Sequence, residues 1–460
     1  MRLTLLFYAF ILTLFFTRQI CVPFLSLVWA AETEKHSKPV VSNKAMKLNN
    51  QGLDHLKKKQ YDEAIRLFRE ALEIQPDFPD ALNNLGKALD SVGKDDEAIS
   101  DFDKALKLAP ENAIIHCNKG AALFHEKKFE ESITSYRKAI EIHEDYAEAQ
   151  NGLGAALFSL GRTDEAISAF QRGVQLDPKN TDALNNLGTA LMAQHKAEEA
   201  IPFFRKAHQL KPKLVDFHEN YANALEEAGH RDEAIAAYRT LVSKHPGQAS
   251  GWAHLGHLLY ISKRYNEASV ALQKSLTLKH DQPEVTLTLG LAQYDQGKTS
   301  EAIRYFEQSL ALKPGDYHAL CSLGSAYYLK KDYVKAETSY EKALAQKPSS
   351  PEALAGLAAS QLASNKSAEA IATYQKLIPL NPDDPEIRLS LGTAFFNKGE
   401  FQDAAESYRE AIRLKPDLAR AHYNLGMAQL RLNDTKSAQA EFEQAHRLDS
   451  SLNPPISHSR

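Results

Sequence analysis

The residues that could do chemistry fall into a few short constellations. His254-Leu255-Gly256-His257 sets two imidazoles three residues apart, and on a helix they share one face, which makes them the best metal-ligand candidates in the sequence. The pair lacks the glutamate of a zinc-protease helix, and no third ligand stands nearby in sequence, so it reads as two surface histidines. Gly152-Leu153-Gly154 has part of the spacing of a phosphate-cradling loop, but no strand precedes it, and helix packing accounts for it. Glu226 and Glu227 are adjacent rather than facing and read as solvated helix charges. No catalytic group, metal set or cofactor motif stands out beyond these.

Two longer rows carry more information. Asn50, Asn84, Asn118, Asn186, Asn220 and Asn424 are separated by multiples of 34 residues, with Asn151 one place early. A carboxamide both donates and accepts, so such a row could hold an extended peptide backbone whatever its side chains. The same row could equally serve the fold. A second row, also at multiples of 34, is Phe124, Phe158, Met192, Glu226, Tyr260, Tyr294, Tyr328, Leu362, Phe396 and Leu430. It is either an apolar strip suited to ligand side chains or ordinary packing between neighbours.

Rows at a fixed spacing require a repeating element. From Ala45 to Leu452 the chain divides into twelve consecutive 34-residue units without an insertion. The stretch Pro79–Asn112 shows the pattern. Leu82, Leu85 and Leu89 keep helical spacing, Gly93-Lys94-Asp95-Asp96 breaks it, and Ala98, Ile99, Phe102, Ala105 and Leu106 begin a second stripe that ends before Pro110. Position 8 of each unit is Gly or Ala, and position 20 is Ala in every unit but one, where Ser132 stands. Position 24 is Phe or Tyr except at Leu272, and position 32 is Pro except at Glu144, His280 and Ser450. Small residues at 8 and 20 let two helices approach, the aromatic at 24 is expected to fill the gap between neighbouring units, and the proline fixes the next turn. Each helix pair leaves an apolar face that only the next pair covers, so the units must stack. Pro202 lies inside a second helix and is expected to kink it.

This N-L-G…A…F…A…P pattern resembles the tetratricopeptide repeat family over residues 45–452. The resemblance implies an all-α solenoid coiled as a right-handed superhelix, with the first helices lining a concave groove. In such a groove positions 2, 5, 6, 9, 12 and 13 face a ligand. That places Asn50, Asn84, Asn118, Asn151, Asn186, Asn220, Asn223, His254, His257, Tyr260, Tyr294 and Tyr328 as candidate partner-binding residues, with Asp90 a further polar group on the template unit. A similar asparagine row binds peptides in the repeat region of some glycosyltransferases of this family. The two-carboxylate clamp of chaperone-binding repeats finds only Lys87 and Asn223 as isolated matches.

The ends differ from the repeats. Met1-Arg2, an apolar run from Leu3 to Phe16 and a second from Ile20 to Val28 lead into Ala30-Ala31. This reads as a secretory signal over residues 1–30, cleaved after Ala30. The rival is an uncleaved anchor over residues 3–30 that associates the protein with a membrane, but Arg18 near its centre would cost about 2.5–3.5 kcal/mol on insertion scales. Residues 31–44 read as a flexible spacer and 453–460 as a disordered tail. In the last unit Gln439 and His446 stand where the first has Ile65 and Leu72, as a terminal repeat requires.

Net charge is −4 over 460 residues and the charges alternate in sign, which argues against nucleic acid as a partner. The cysteines, Cys21, Cys117 and Cys321, form no disulfide framework. The expectation is a non-enzymatic scaffold outside the cytoplasm, in the periplasm or secreted, holding an extended segment of a protein or peptide partner. The alternatives are an assembly factor of a cell-envelope or polysaccharide export complex and a metal-dependent enzyme using His254 and His257.

Overall fold

The computed structural model describes residues 41–453. The leader or anchor, most of the spacer, Cys21 and residues 454–460 lie outside them. The described residues hold twenty-four α-helices, from α1 (Asn43–Lys57) and α2 (Tyr61–Ile74) to α23 (Ala419–Arg431) and α24 (Thr435–Leu448), and no strand. They pair as the 34-residue period requires: α3 (Pro79–Ser91) with α4 (Asp95–Leu108), α5 (Ala113–His125) with α6 (Phe129–Ile142), and onward. The first helix starts two residues inside the expected spacer. No described helix is long and apolar enough to cross a membrane.

Each repeat turns from its first helix to its second through one left-handed residue at position 15. Seven of these are not glycine (Lys59, Lys127, His195, Lys263, Lys331, Asn365 and Asn433), while Gly93, Gly161, Gly229, Gly297 and Gly399 fill the others. Glycine and non-glycine alternate along the chain, with one slip where Lys331 is followed by Asn365. The Lys59 N–H donates to Leu56 O at 2.9 Å and the Gln60 N–H to His55 O at 2.9 Å, the bond pattern that closes a helix over a left-handed residue.

Ten of the twelve second helices carry acidic residues in their first turn, such as Asp95, Asp96 and Glu97 in α4, which suit the positive end of a helix dipole. The helix containing Pro202 (Ala197–Leu210) continues through it as one element. Near Pro379 the second helix of repeat ten instead stops at Leu377, and its last turn tightens to a 3-10 turn over Ile378–Leu380.

Between repeats, position 4 of one first helix ties back to the preceding proline. His116 Nε2 lies 2.9 Å from Pro110 O, and Trp252 Nε1 donates to Pro246 O at 3.0 Å.

The aromatic at position 24 does more than fill the gap between neighbouring repeats, as Tyr136 does against Gly152: its ring also lies on position 8 of its own repeat, between that repeat's two helices. A Cβ built on Gly86 would lie 2.7 Å from Phe102, and one on Gly188 would lie 2.7 Å from Phe204. Both rings are almost fully buried, and each contributes roughly 2–3 kcal/mol from removed apolar area.

The chain divides into two compact halves, through Ala234 and from Ile235. In the first, Phe68, Leu82, Leu85, Leu89, Phe102 and Ile115 form a core running across repeats one to three. In the second, Leu354, Tyr374, Leu377, Ile387 and Leu391 form one core, and Leu389, Tyr408, Leu418 and Leu425 the next.

Candidate functional site

Within each half the first helices pack on one another in sequence. In the first half the run is α1, α3, α5, α7 (Ala147–Ser159), α9 (Thr181–Ala193) and α11 (Val215–Glu227). In the second it is α13 (Ala249–Ile261), α15 (Pro283–Asp295), α17 (Tyr317–Leu329), α19 (Pro351–Ala363), α21 (Pro385–Lys398) and α23. Each run makes one continuous face, and the candidate residues stand on it.

The asparagines are paired. Asn84 Nδ2 donates to Asn49 Oδ1 at 2.9 Å and Asn118 Nδ2 to Asn83 Oδ1 at 2.8 Å. Asn186 Nδ2 donates to Asn151 Oδ1 at 3.2 Å and Asn220 Nδ2 to Asn185 Oδ1 at 2.8 Å. Each bond runs from position 6 of one repeat to position 5 of the repeat before it. This explains Asn151, which is an acceptor at position 5 rather than a misplaced member of the row. Every pair uses one amide hydrogen and one oxygen lone pair of groups that each offer more. The row therefore joins neighbouring repeats as well as lining the face. Asn50 is exposed at position 6 of the first repeat, and Asn223 is half-buried at position 9.

The ladder breaks once in the first half. Where position 6 is Gly152, position 5 of the repeat before is Cys117, and the position-24 ring between them is Tyr136. The same three types recur in the second half as Cys321, Tyr340 and Gly356, where the Tyr340 hydroxyl bonds Ser325 Oγ at 2.9 Å. Burial pushes the Cys321 thiol up to about 11 and the Tyr340 phenol up to about 12, so neither serves as a nucleophile or base near neutrality.

His254 stacks flat on Tyr238, with ring centroids 5.3 Å apart and an interplanar angle of 2°. His254 and His257 are half-buried rather than surface residues, and among the described residues no third ligand completes a metal set with them.

The aromatic row at position 12 is tied to position 17, the first residue of the second helix. Phe124 meets Phe129 at 5.4 Å, Tyr260 meets Tyr265 at 5.8 Å, Tyr328 meets Tyr333 at 5.4 Å and Phe396 meets Phe401 at 5.3 Å. Burial pushes the Tyr260 and Tyr294 phenols up, and the Asp295 carboxylate adds to both shifts. Tyr328 and its neighbour Leu329 are exposed, at 37% and 58%. The row is thus part packing and part accessible surface.

The acceptors Asn49, Asn83 and Asn185 and the position-17 aromatics escaped the sequence reading. The signal was present: an asparagine at position 6 follows an asparagine at position 5 one repeat earlier in four successive-repeat pairs, and Gly152 follows Cys117.

Family profiles described as tetratricopeptide repeat match residues 49–113, 152–214 and 287–351, others match 111–179, 191–258, 327–391 and 419–451, and one described as TPR repeat matches 392–433. Among solved structures, MamA from residue 41 to its end, from Desulfovibrio magneticus RS-1, is 23% identical, with 37% of this chain and 96% of that one covered and a TM-score of 0.36. YrrB, described as a TPR protein with an unusual peptide-binding site, is 23% identical over 40% of this chain and 95% of its own, with a TM-score of 0.38. Cut9, from the Cut9–Hcn1 hetero-tetramer of APC/C, is 14% identical over 89% and 95%, with a TM-score of 0.40. Curated protein sequences return no match.

Proposed function

The chain belongs to the tetratricopeptide repeat family, and from that premise we propose that it is a non-enzymatic scaffold. It holds an extended segment of a partner protein on a face made by the first helices within a half of the chain. The observation that carries this reading is the continuity of that face. Within each half successive first helices touch; those of the first half present carboxamides, and those of the second present exposed aromatic and aliphatic groups, Tyr328 and Leu329. Polar groups able to satisfy a peptide backbone beside apolar patches for side chains suit an extended ligand.

A photo-crosslinking residue placed at Tyr328 tests this against one placed at Val270, which is 65% exposed on a second helix. The reading expects partner adducts at 328 and few at 270. Equal or reversed labelling removes the first-helix face as the binding surface. The leader read in residues 1–30 supports action outside the cytoplasm, and N-terminal sequencing of the mature protein checks it, with a chain beginning at Ala31 expected.

A further inference from the structure

A three-residue corner recurs at the C-terminal end of the first helices. It is built by position 12, by position 17 of the same repeat and by position 13 of the next. In repeat eleven it holds Phe396, Phe401 and Arg431, whose guanidinium carbon lies 5.6 and 5.3 Å from the two ring centroids. In repeats three and nine its first two places are ring pairs, Phe124 with Phe129 and Tyr328 with Tyr333. Repeat two fills the same places with Asp90, Asp95 and His125.

We propose that this corner is a binding site for a divalent transition-metal ion of the zinc class, with Asp90, Asp95 and His125 each giving one ligand atom. One oxygen of each carboxylate and a ring nitrogen of the histidine lie within 4.8 Å of one another. The three come from three rigid elements: Asp90 from α3, Asp95 from the first residue of α4 and His125 from the end of α5. His125 Nδ1 is 2.7 Å from Asp90 Oδ1, with both side chains 18% exposed. Asp95 is 7% exposed.

The lysines flanking the corner in sequence reach other carboxylates, Lys94 to Glu97 at 3.6 Å and Lys128 to Asp96 at 3.1 Å. The corner thus aims three donors at one point, one of them on a nearly buried carboxylate. One imidazole nitrogen with two carboxylate oxygens suits zinc and its neighbours. Calcium and magnesium look for six or more oxygens, which this corner does not offer.

Zinc bonds of about 2.0–2.1 Å in a tetrahedron set ligand atoms roughly 3.3 Å apart. The His125–Asp90 pair therefore opens by about half an ångström, a side-chain adjustment, and the fourth position is left to solvent. The bound ion fastens repeat two to repeat three. It implies no catalysis, and it is independent of what the face binds.

The test is calorimetric titration of the chelator-stripped full chain with zinc chloride in a non-coordinating buffer. The expected result is one saturable site per chain and a raised thermal midpoint. Asp95→Asn and His125→Ala each weaken binding by about tenfold or more, whereas His257→Ala leaves it unchanged. Asp90→Asn, which keeps the side-chain shape, gives the same reading should either of the first two variants lose its helical circular dichroism. Absence of saturable zinc binding, or binding indifferent to the Asp90, Asp95 and His125 variants, overturns the site.

Discussion

The ring of Tyr136 stands in the space that a side chain at position 152 would need: a Cβ built on Gly152 would lie 2.3 Å from its Cζ and 2.6 Å from its hydroxyl oxygen. The tyrosine thus takes the place of a hydrogen-bonded asparagine pair, and Cys117 stands where the acceptor would be. Gly152→Asn alone is expected to destabilise by about 1–3 kcal/mol through overpacking. Adding Tyr136→Phe and Cys117→Asn should recover most of that loss by rebuilding the pair found at Asn83 and Asn118. Urea denaturation of the single, double and triple variants decides it; strictly additive losses would contradict the exchange.

Asn83 and Asn118 should show a coupling energy of about 0.5–1.5 kcal/mol in a double-mutant cycle to alanine. Asn118 is 6% exposed, so its partner's loss is felt in a nearly dry setting. A coupling indistinguishable from zero would mean that the pair contributes nothing to joining the repeats.

Gly86→Ala should destabilise by about 1–3 kcal/mol, although glycine to alanine within a helix ordinarily stabilises by up to about 1 kcal/mol. The reversal comes from Phe102, whose ring carbons lie 2.7 Å from the new methyl group. Combining it with Phe102→Leu should soften the loss, and thermal midpoints of the single and double variants report the difference.

Lys59 and Lys127 hold φ near +60°, which costs a residue with a Cβ roughly 1–2 kcal/mol. Lys59→Gly and Lys127→Gly are each expected to stabilise by about 0.5–1 kcal/mol, less than the full strain because glycine loses more backbone freedom on folding. Gly93→Lys should do the reverse. Chemical denaturation midpoints give the sign directly.

Asp316 caps α17 by accepting from the Ala319 N–H at 3.0 Å, and Lys313 Nζ lies 3.0 Å from its other oxygen. Burial pushes its carboxyl up, but these two donors outweigh that and hold it below its ordinary value. A carboxylate depressed in the folded state stabilises above its unfolded pKa, near 4, and that contribution fades as pH falls through the lower folded value. Asp316→Asn should therefore lose less stability than the parent between pH 5 and roughly pH 3. Parallel urea titrations at several pH values measure it.

The fold was legible because its determinants repeat in phase. Gly86 and Phe102 recur at fixed places, and a pattern written twelve times is read with little ambiguity. Half of the relation between them was legible. Spacing along the chain tells that a glycine and a ring are needed, not that one also lies upon the other within a single repeat. The asparagine row was seen as a row, but its bonds run diagonally from position 6 to position 5 of the preceding repeat, and a tally down one column cannot show that. The corner of Asp90, Asp95 and His125 was illegible for the same reason, since its members are brought together by the turn at Gly93 and by stacking. The left-handed turn at position 15 was hidden behind lysine, a residue that does not advertise it.

The alternation of glycine and non-glycine at that turn reaches beyond mechanics. Nothing in a single helical hairpin distinguishes odd repeats from even ones, yet Lys59, Lys127, His195 and Lys263 alternate with Gly93, Gly161, Gly229 and Gly297. The Cys–Tyr–Gly exchange likewise returns after an even number of repeats, from Cys117 to Cys321. The sequence period at that turn is therefore two repeats, or 68 residues, and its phase shifts once, between Lys331 and Asn365.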